Sequence, residues 1–228
     1  MPRLPSLPSV EILLRRSPRA RRMSLRVSRA DGSVTLTIPP RARESAAIAF
    51  LSQHEDWLRH ALAALPVGVS VALGAQVPVE GRLVTLVAGT GRTPRISDGQ
   101  LILPGDPARG AARAAAFLKA LARDRLAAAS DLHAATLGRR YAALTLRDAR
   151  SRWGSCTVNG RLMYNWRLIM APPAVLDYVA AHEVAHLAEM NHGPGFWAVV
   201  TRLCPGYEMH RRWLKAQGQT LHAFRFGD

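Results

Sequence analysis

Between Pro173 and His192 the chain sets two histidines and a glutamate inside an otherwise apolar run, Ala181-His182-Glu183-Val184-Ala185-His186-Leu187-Ala188-Glu189-Met190-Asn191-His192. Apolar residues fall on nearly every side of this segment, which predicts a buried helix over about 173–190. On a helix, residues four apart share a face, so His182 and His186 can aim two imidazoles at one point. Glu183 is displaced around the helix, where it can take a proton from an activated water without being a ligand. Burying these three groups without a partner is costly, and a metal ion removes that cost. A hydrolytic zinc site needs three protein ligands and an open position, and His192 is the natural third. The reading is therefore one Zn2+ per chain on His182, His186 and His192, with Glu183 as general base. The preference for zinc rests on three imidazoles. The competing reading makes the histidines hydrogen-bonded core residues and pairs Glu183 with an arginine. The turn that brings His192 back is expected at Asn191 or Gly193. Glu189 stands where the longer metzincin pattern has a glycine, so the chain is not read as a metzincin.

The other segments predict an α+β protein. Met23, Leu25 and Val27 alternate with polar residues, as do Val34, Leu36 and Ile38. With Asp31-Gly32 between them, they predict a β-hairpin. One helix is expected over Ala46–Leu65, closed by Pro66, followed by short strands at Val69–Leu73, Val77–Val79, Leu83–Val87 and Leu101–Leu103. Beyond Pro104-Gly105-Asp106-Pro107, residues 108–137 are Ala-rich and predict a long helix. Strands are expected at Leu144–Leu146 and Arg161–Leu168 around a Trp153-Gly154-Ser155-Cys156 loop, then helices near 173–190, 194–203 and 207–217. The reading divides the chain into a β-rich portion over 1–105 with one helix and a catalytic portion over 106–228.

The formal charge is +15, and all but two (Lys119, Lys215) of the 31 Lys+Arg residues are arginine. Such a field suits phosphate, a nucleotide or nucleic acid, although an Arg-rich solvated surface explains it equally well. Residues 3–29 hold eight arginines. Arg15 and Arg16 interrupt Ile12-Leu13-Leu14, which excludes a secretory core, and the alternation that follows reads as folded structure. Two cysteines make no disulfide framework, and no stretch is long and apolar enough to span a membrane. These features favour a cytoplasmic protein.

Ser151-Arg152-Trp153-Gly154-Ser155-Cys156, Asn165-Trp166-Arg167-Leu168, Asp177-Tyr178-Val179, the His-Glu-x-x-His segment, Asn191-His192, Phe196-Trp197 and Arg212-Trp213-Leu214-Lys215 together resemble the YgjP-like metal-dependent hydrolases. The resemblance runs from about residue 10 to 222. It implies a zincin-like fold related to the SprT and WLM peptidases, zinc on the three histidines and a catalytic Glu183. Metallopeptidase activity on a peptide or protein substrate is its first implication. A nucleoside triphosphate (UTP-type) pyrophosphatase is the second. A nucleic-acid-associated module with a structural zinc is the remaining alternative, and an intact Glu183 argues against it.

Four further residues are candidate substrate or transition-state contacts: Arg152 and Asn165 within these motifs, and Tyr207 and His210 as oxyanion donors. Core or surface placement is an equally good reading of Tyr207 and His210. Cys156 is expected to pack, with Gly154 at a bend and Trp153 in the core. Glu189 and Asp177 are read first as solvated charges and second as carboxylates orienting a ligand. By resemblance, the strand Arg161–Leu168 is expected to be an edge that pairs with an extended peptide.

Overall fold

The computed structural model describes residues 10–28, 32–63 and 68–227. The chain divides into two compact units, Met1–Val67 and Gly68–Asp228.

In the first unit, β1 (Ile12–Arg16), β2 (Ser24–Val27) and β3 (Val34–Ile38) form a sheet of order β1-β3-β2. The expected hairpin is present, with Leu25 opposite Leu36 and Val27 opposite Val34, while β1 joins β3 in parallel. Ala30 and Asp31 of its turn lie outside the described residues. Alternation puts Val34, Leu36 and Ile38 on one buried face with Ile12, and Ala47, Leu51 and Leu58 cover it. The single helix expected over 46–65 is two, α1 (Glu44–Gln53) and α2 (Glu55–Ala63), broken at His54. There the His54 ring donates back to the Phe50 carbonyl at 2.9 Å. Leu65 and Pro66 lie outside the described residues. Arg16 donates to the carbonyls of Pro40 (2.8 Å) and Ala42 (2.9 Å), so part of the basic N-terminal stretch fastens the sheet to the next loop.

The second unit opens with β4 (Val69–Ser70), followed by β5 (Gln76–Val79), β6 (Arg82–Gly89), β7 (Arg95–Ser97) and β8 (Gln100–Pro104). The last four form a sheet of order β5-β6-β8-β7. The long helix α3 (Gly110–Leu137) ends where Gly138 adopts φ +69°, its N–H reaching back to Ala134 and Ala135. Val77, Leu86 and Leu101 of the sheet share one core with Leu118, Ala122 and Leu126 of α3 and with the residues that follow. The break expected near residue 105 therefore falls inside this unit. The sheet's apolar face would be bare without α3, so the two segments cannot be parted there.

Next come β9 (Ala143–Arg147), β10 (Gly154–Cys156) and β11 (Arg161–Asn165), in the order β10-β11-β9. A 3₁₀ turn over Trp166–Met170 replaces the second half of the strand expected to reach Leu168. Asn165 begins that turn by accepting the Arg167 N–H at 2.9 Å. Helices α4 (Pro173–Ala185), α5 (Pro194–Leu203) and α6 (Tyr207–Gln217) follow, and β12 (Phe224–Arg225) pairs in parallel with β4. Among the described residues no helix is long and apolar enough to cross a membrane.

Candidate metal centre

Helix α4 is buried along most of its length, as its composition predicts, but ends at Ala185 rather than near 190. His186 keeps right-handed helical angles (φ −64°, ψ −15°), so the i, i+4 relation to His182 survives. The chain then turns at once: Leu187 N–H donates to Val184 and Ala188 N–H to Ala185. This first turn is made by three-residue hydrogen bonds and needs neither glycine nor a left-handed residue. The turn expected at Asn191 or Gly193 follows it, with Gly193 N–H donating to Asn191 O at 2.7 Å.

This path brings His182, His186 and His192 together, with one nitrogen of each within 4.8 Å of the others. The Nε2 atoms of His182 and His192 are 3.0 Å apart. Tetrahedral zinc with Zn–N bonds of about 2.1 Å separates its ligand nitrogens by roughly 3.4 Å, so the cluster has the right scale. The His186 Nδ1–H donates to the Glu189 carbonyl at 2.9 Å, which leaves the Nε2 lone pair for a metal. Burial lowers the His182 pKa to about 3, assisted by His186, His192 and Arg211. Burial likewise lowers that of His186. Both imidazoles are thus held neutral, as ligation requires. Phe196, wholly buried, lies under all three rings, at 4.9 Å from His182, 4.5 Å from His186 and 4.6 Å from His192.

Glu183 is 5% exposed. Burial raises its pKa to about 8, with Arg152 pulling the other way. Above it lies β10: a Cβ added to Gly154 would be 2.5 Å from Glu183 Oε1. The Gly154–Cys156 part of the expected loop is therefore a strand, and it is one of the sheet's two edges, β9 being the other. Strand β11 is central, paired in parallel with β9 and antiparallel with β10, so the peptide-pairing edge expected at Arg161–Leu168 is already occupied. Asn165 N–H donates to Trp153 O (2.8 Å) and Thr157 N–H to Arg161 O (3.1 Å). By the alternation of an antiparallel ladder, the peptide groups of Gly154 and Cys156 then point outward. Among the described residues they have no backbone partner. The segment escapes a period-2 reading because its glycine and serine carry no apolar signal.

The remaining candidates separate. Arg152 is exposed and close enough to influence Glu183. Asn165 is fully buried and spent on the backbone, its amide donating to Ala149 O at 2.7 Å, so it shapes the strand end and does not face a substrate. Tyr207 is buried in a stack between Trp197 (5.3 Å) and Tyr178 (6.0 Å), the core placement. His210 makes no ring or hydrogen-bond contact with the histidine cluster among the described residues. One turn beyond Tyr207, Arg211, one of several arginines that follow the histidines in sequence, lies over the Trp197 ring at 4.6 Å and acts on His182, which sets it apart from the others. The i, i+4 spacing from Tyr207 was the available signal. Cys156 is outside the cluster, and burial followed by Glu183 raises its thiol to about 11, in keeping with packing. Trp153 is half-buried against His222 and Gly218. Asp177 pairs with His133 of α3 (2.9 Å), and Glu189 offers its carbonyl to His186 while its carboxylate lies against Gly195.

Three histidines that could hold a metal ion, with a buried carboxylate beside them and an edge strand against it, are the arrangement expected of a metallohydrolase. The chain belongs to the YgjP-like family, whose metallopeptidase-domain model matches residues 21–217. No curated protein sequence matches it. Among solved structures it is similar to the metallopeptidase zymogen of Pyrococcus abyssi abylysin, at 21% identity and a TM-score of 0.35, over 42% of this chain and 95% of that one.

Proposed function

We propose that the protein is a zinc-dependent peptidase in which His182, His186 and His192 hold the ion and Glu183 carries the proton. The observation that supports this most is that buried Glu183, next in sequence to His182 of the histidine cluster, lies against Gly154 of the edge strand β10. An extended peptide pairing with Gly154 and Cys156 through its own backbone would lie across Glu183. A bound zinc ion would supply Lewis acidity at the scissile carbonyl and make water acidic enough to be deprotonated near neutral pH. Glu183 takes a proton from the attacking water as its oxygen bonds to the carbonyl carbon. It then delivers that proton to the amide nitrogen as the C–N bond breaks. Arg152 favours the ionised carboxylate that the first step needs.

Elemental analysis of freshly purified, untagged protein tests the site, with about one zinc per chain expected. Glu183→Gln should keep the metal and lose peptide hydrolysis. Full activity in that variant would sink the mechanism. Arg152 and Arg211, flanking Glu183 and His182, favour a second reading, a nucleoside triphosphate pyrophosphatase. Release of pyrophosphate from nucleoside triphosphates, with peptides untouched, would establish that reading instead.

A further inference from the structure

Beside the histidine cluster, a cleft of about 660 Å³ is lined by Arg139, Arg140, Tyr141, Val158, His186 and Met190, among others. Its position follows from the elements already described. Strand β10 passes Glu183 at Gly154 and reaches the turn over 157–160 three residues later, about 10 Å along an extended chain. That turn packs on the residue after His186, since a Cβ on Gly160 would be 3.5 Å from Leu187 Cδ2. The cleft therefore opens at the end of the sheet, between the turn that ends β10 and the residues leading into β9 (Ala142 N–H donates to Gly160 O at 2.8 Å), with a candidate metal ligand in its wall.

The lining has two characters. Arg139 and Arg140 follow the Gly138 cap of α3 and are exposed, and neither has an ion-pair or side-chain hydrogen-bond partner among the described residues. Asp131 accepts the Tyr141 hydroxyl at 2.5 Å, and the Glu189 carboxylate lies against Gly195, so each has another neighbour. Opposite this charge, Val158 (81% exposed) and Met190 (43%) offer apolar surface. Adjacent guanidinium forks suit a carboxylate, and the apolar wall suits the methylene stem that carries it.

We propose that this cleft is a subsite for an acidic side chain, glutamate above all, of an extended peptide paired with β10, within three residues of the scissile bond. The proposal rests on the peptidase reading and names its substrate class. The test uses internally quenched peptides that differ only in Glu, Gln or Lys at one position, scanned over the three residues on either side of the cleaved bond. At one position the wild-type protein should favour Glu over Gln by at least about tenfold in kcat/KM. The same order should appear in the Kd of the uncleaved peptides for Glu183→Gln protein. Arg139→Gln/Arg140→Gln should bring the Glu-to-Gln ratio near one, and Arg139→Glu/Arg140→Glu should turn the preference towards Lys. Peptide cleavage with no Glu preference, or with one that survives both double variants, overturns the subsite and leaves the peptidase reading standing. Failure of the zinc-loaded protein to cleave any peptide overturns that reading and the subsite with it.

Discussion

Gly154 and Glu183 touch across the strand–helix interface so closely that no side chain fits between them: a Cβ at 154 would be 2.5 Å from Oε1 and 2.6 Å from Cγ of the glutamate. The glycine is needed for this approach, since its backbone stays out of the left-handed region. Gly154→Ala should force Glu183 aside. Displacement of a catalytic group by about 1 Å costs roughly a hundredfold in rate, and overpacking adds about 1–3 kcal/mol of destabilisation. Hydrolysis assays paired with zinc analysis check this, with activity lost and metal retained.

Phe196 supports three imidazoles at once. Phe196→Ala should cost about 3–5 kcal/mol of stability as a buried aromatic. Loosened ligands should also weaken zinc binding by about 10–100-fold. Competition against a chromogenic chelator measures the second effect, and unchanged affinity would show that the rings are held by other contacts.

Arg167 ties the strand end to residues distant in sequence. It meets both Asp148 carboxylate oxygens (2.7 and 3.0 Å), donates to the carbonyls of Leu221 (3.0 Å) and Phe224 (2.9 Å), and lies on the Trp166 ring at 4.8 Å. Arg167→Ala leaves the two carbonyls unpaired and should destabilise the fold by about 1–3 kcal/mol, the half-exposed Asp148 being rescued by water. Arg167→Lys should recover little, because an ammonium cannot reproduce the fork. Thermal melts of both variants check this.

His222 and Asp148 make stability depend on pH in two successive windows. Burial, then Arg167, holds the His222 imidazole at about 4 against an ordinary 6.5, with Asp148 opposing. Below pH 6.5 the unfolded chain takes a proton that the folded one refuses, so stability should fall from about pH 6.5 to 4 and level off for this group. Burial raises the Asp148 carboxyl, but the Arg167 guanidinium and then His222 outweigh it and hold the group below its ordinary 3.8. Its contribution is present above that value and is lost as pH falls through the folded pKa. His222→Phe should make the first window shallower and, because Asp148 then keeps only Arg167 to hold it down, shrink the second as well, as read by melting temperature against pH.

The three-histidine cluster was legible in the sequence because His182, Glu183 and His186 are neighbours on one helical stretch, where spacing alone places them. Helices α5 and α6 were legible for the same reason, each marked by its own periodicity and breakers. What surrounds the cluster was not. Which of β10 and β11 is the free edge depends on β9 pairing from the other side, and no local pattern encodes that partner. Phe196 as the floor and Arg211 at the rim depend on how α5 and α6 return past α4. Asn165 misled because a conspicuous polar residue beside the motif is occupied by the backbone of its own turn. The division near residue 105 failed because a change of composition marked a change of element within one core.

The strand that covers Glu183 is held from behind by residues made much later. Trp153 packs on His222 and Gly218, and Arg167 clasps the carbonyls of Leu221 and Phe224. On a ribosome, helix α4 is therefore synthesised before the segment that steadies the strand above its glutamate. A nascent chain carrying all three histidines still lacks that support until residues 218–224 have emerged.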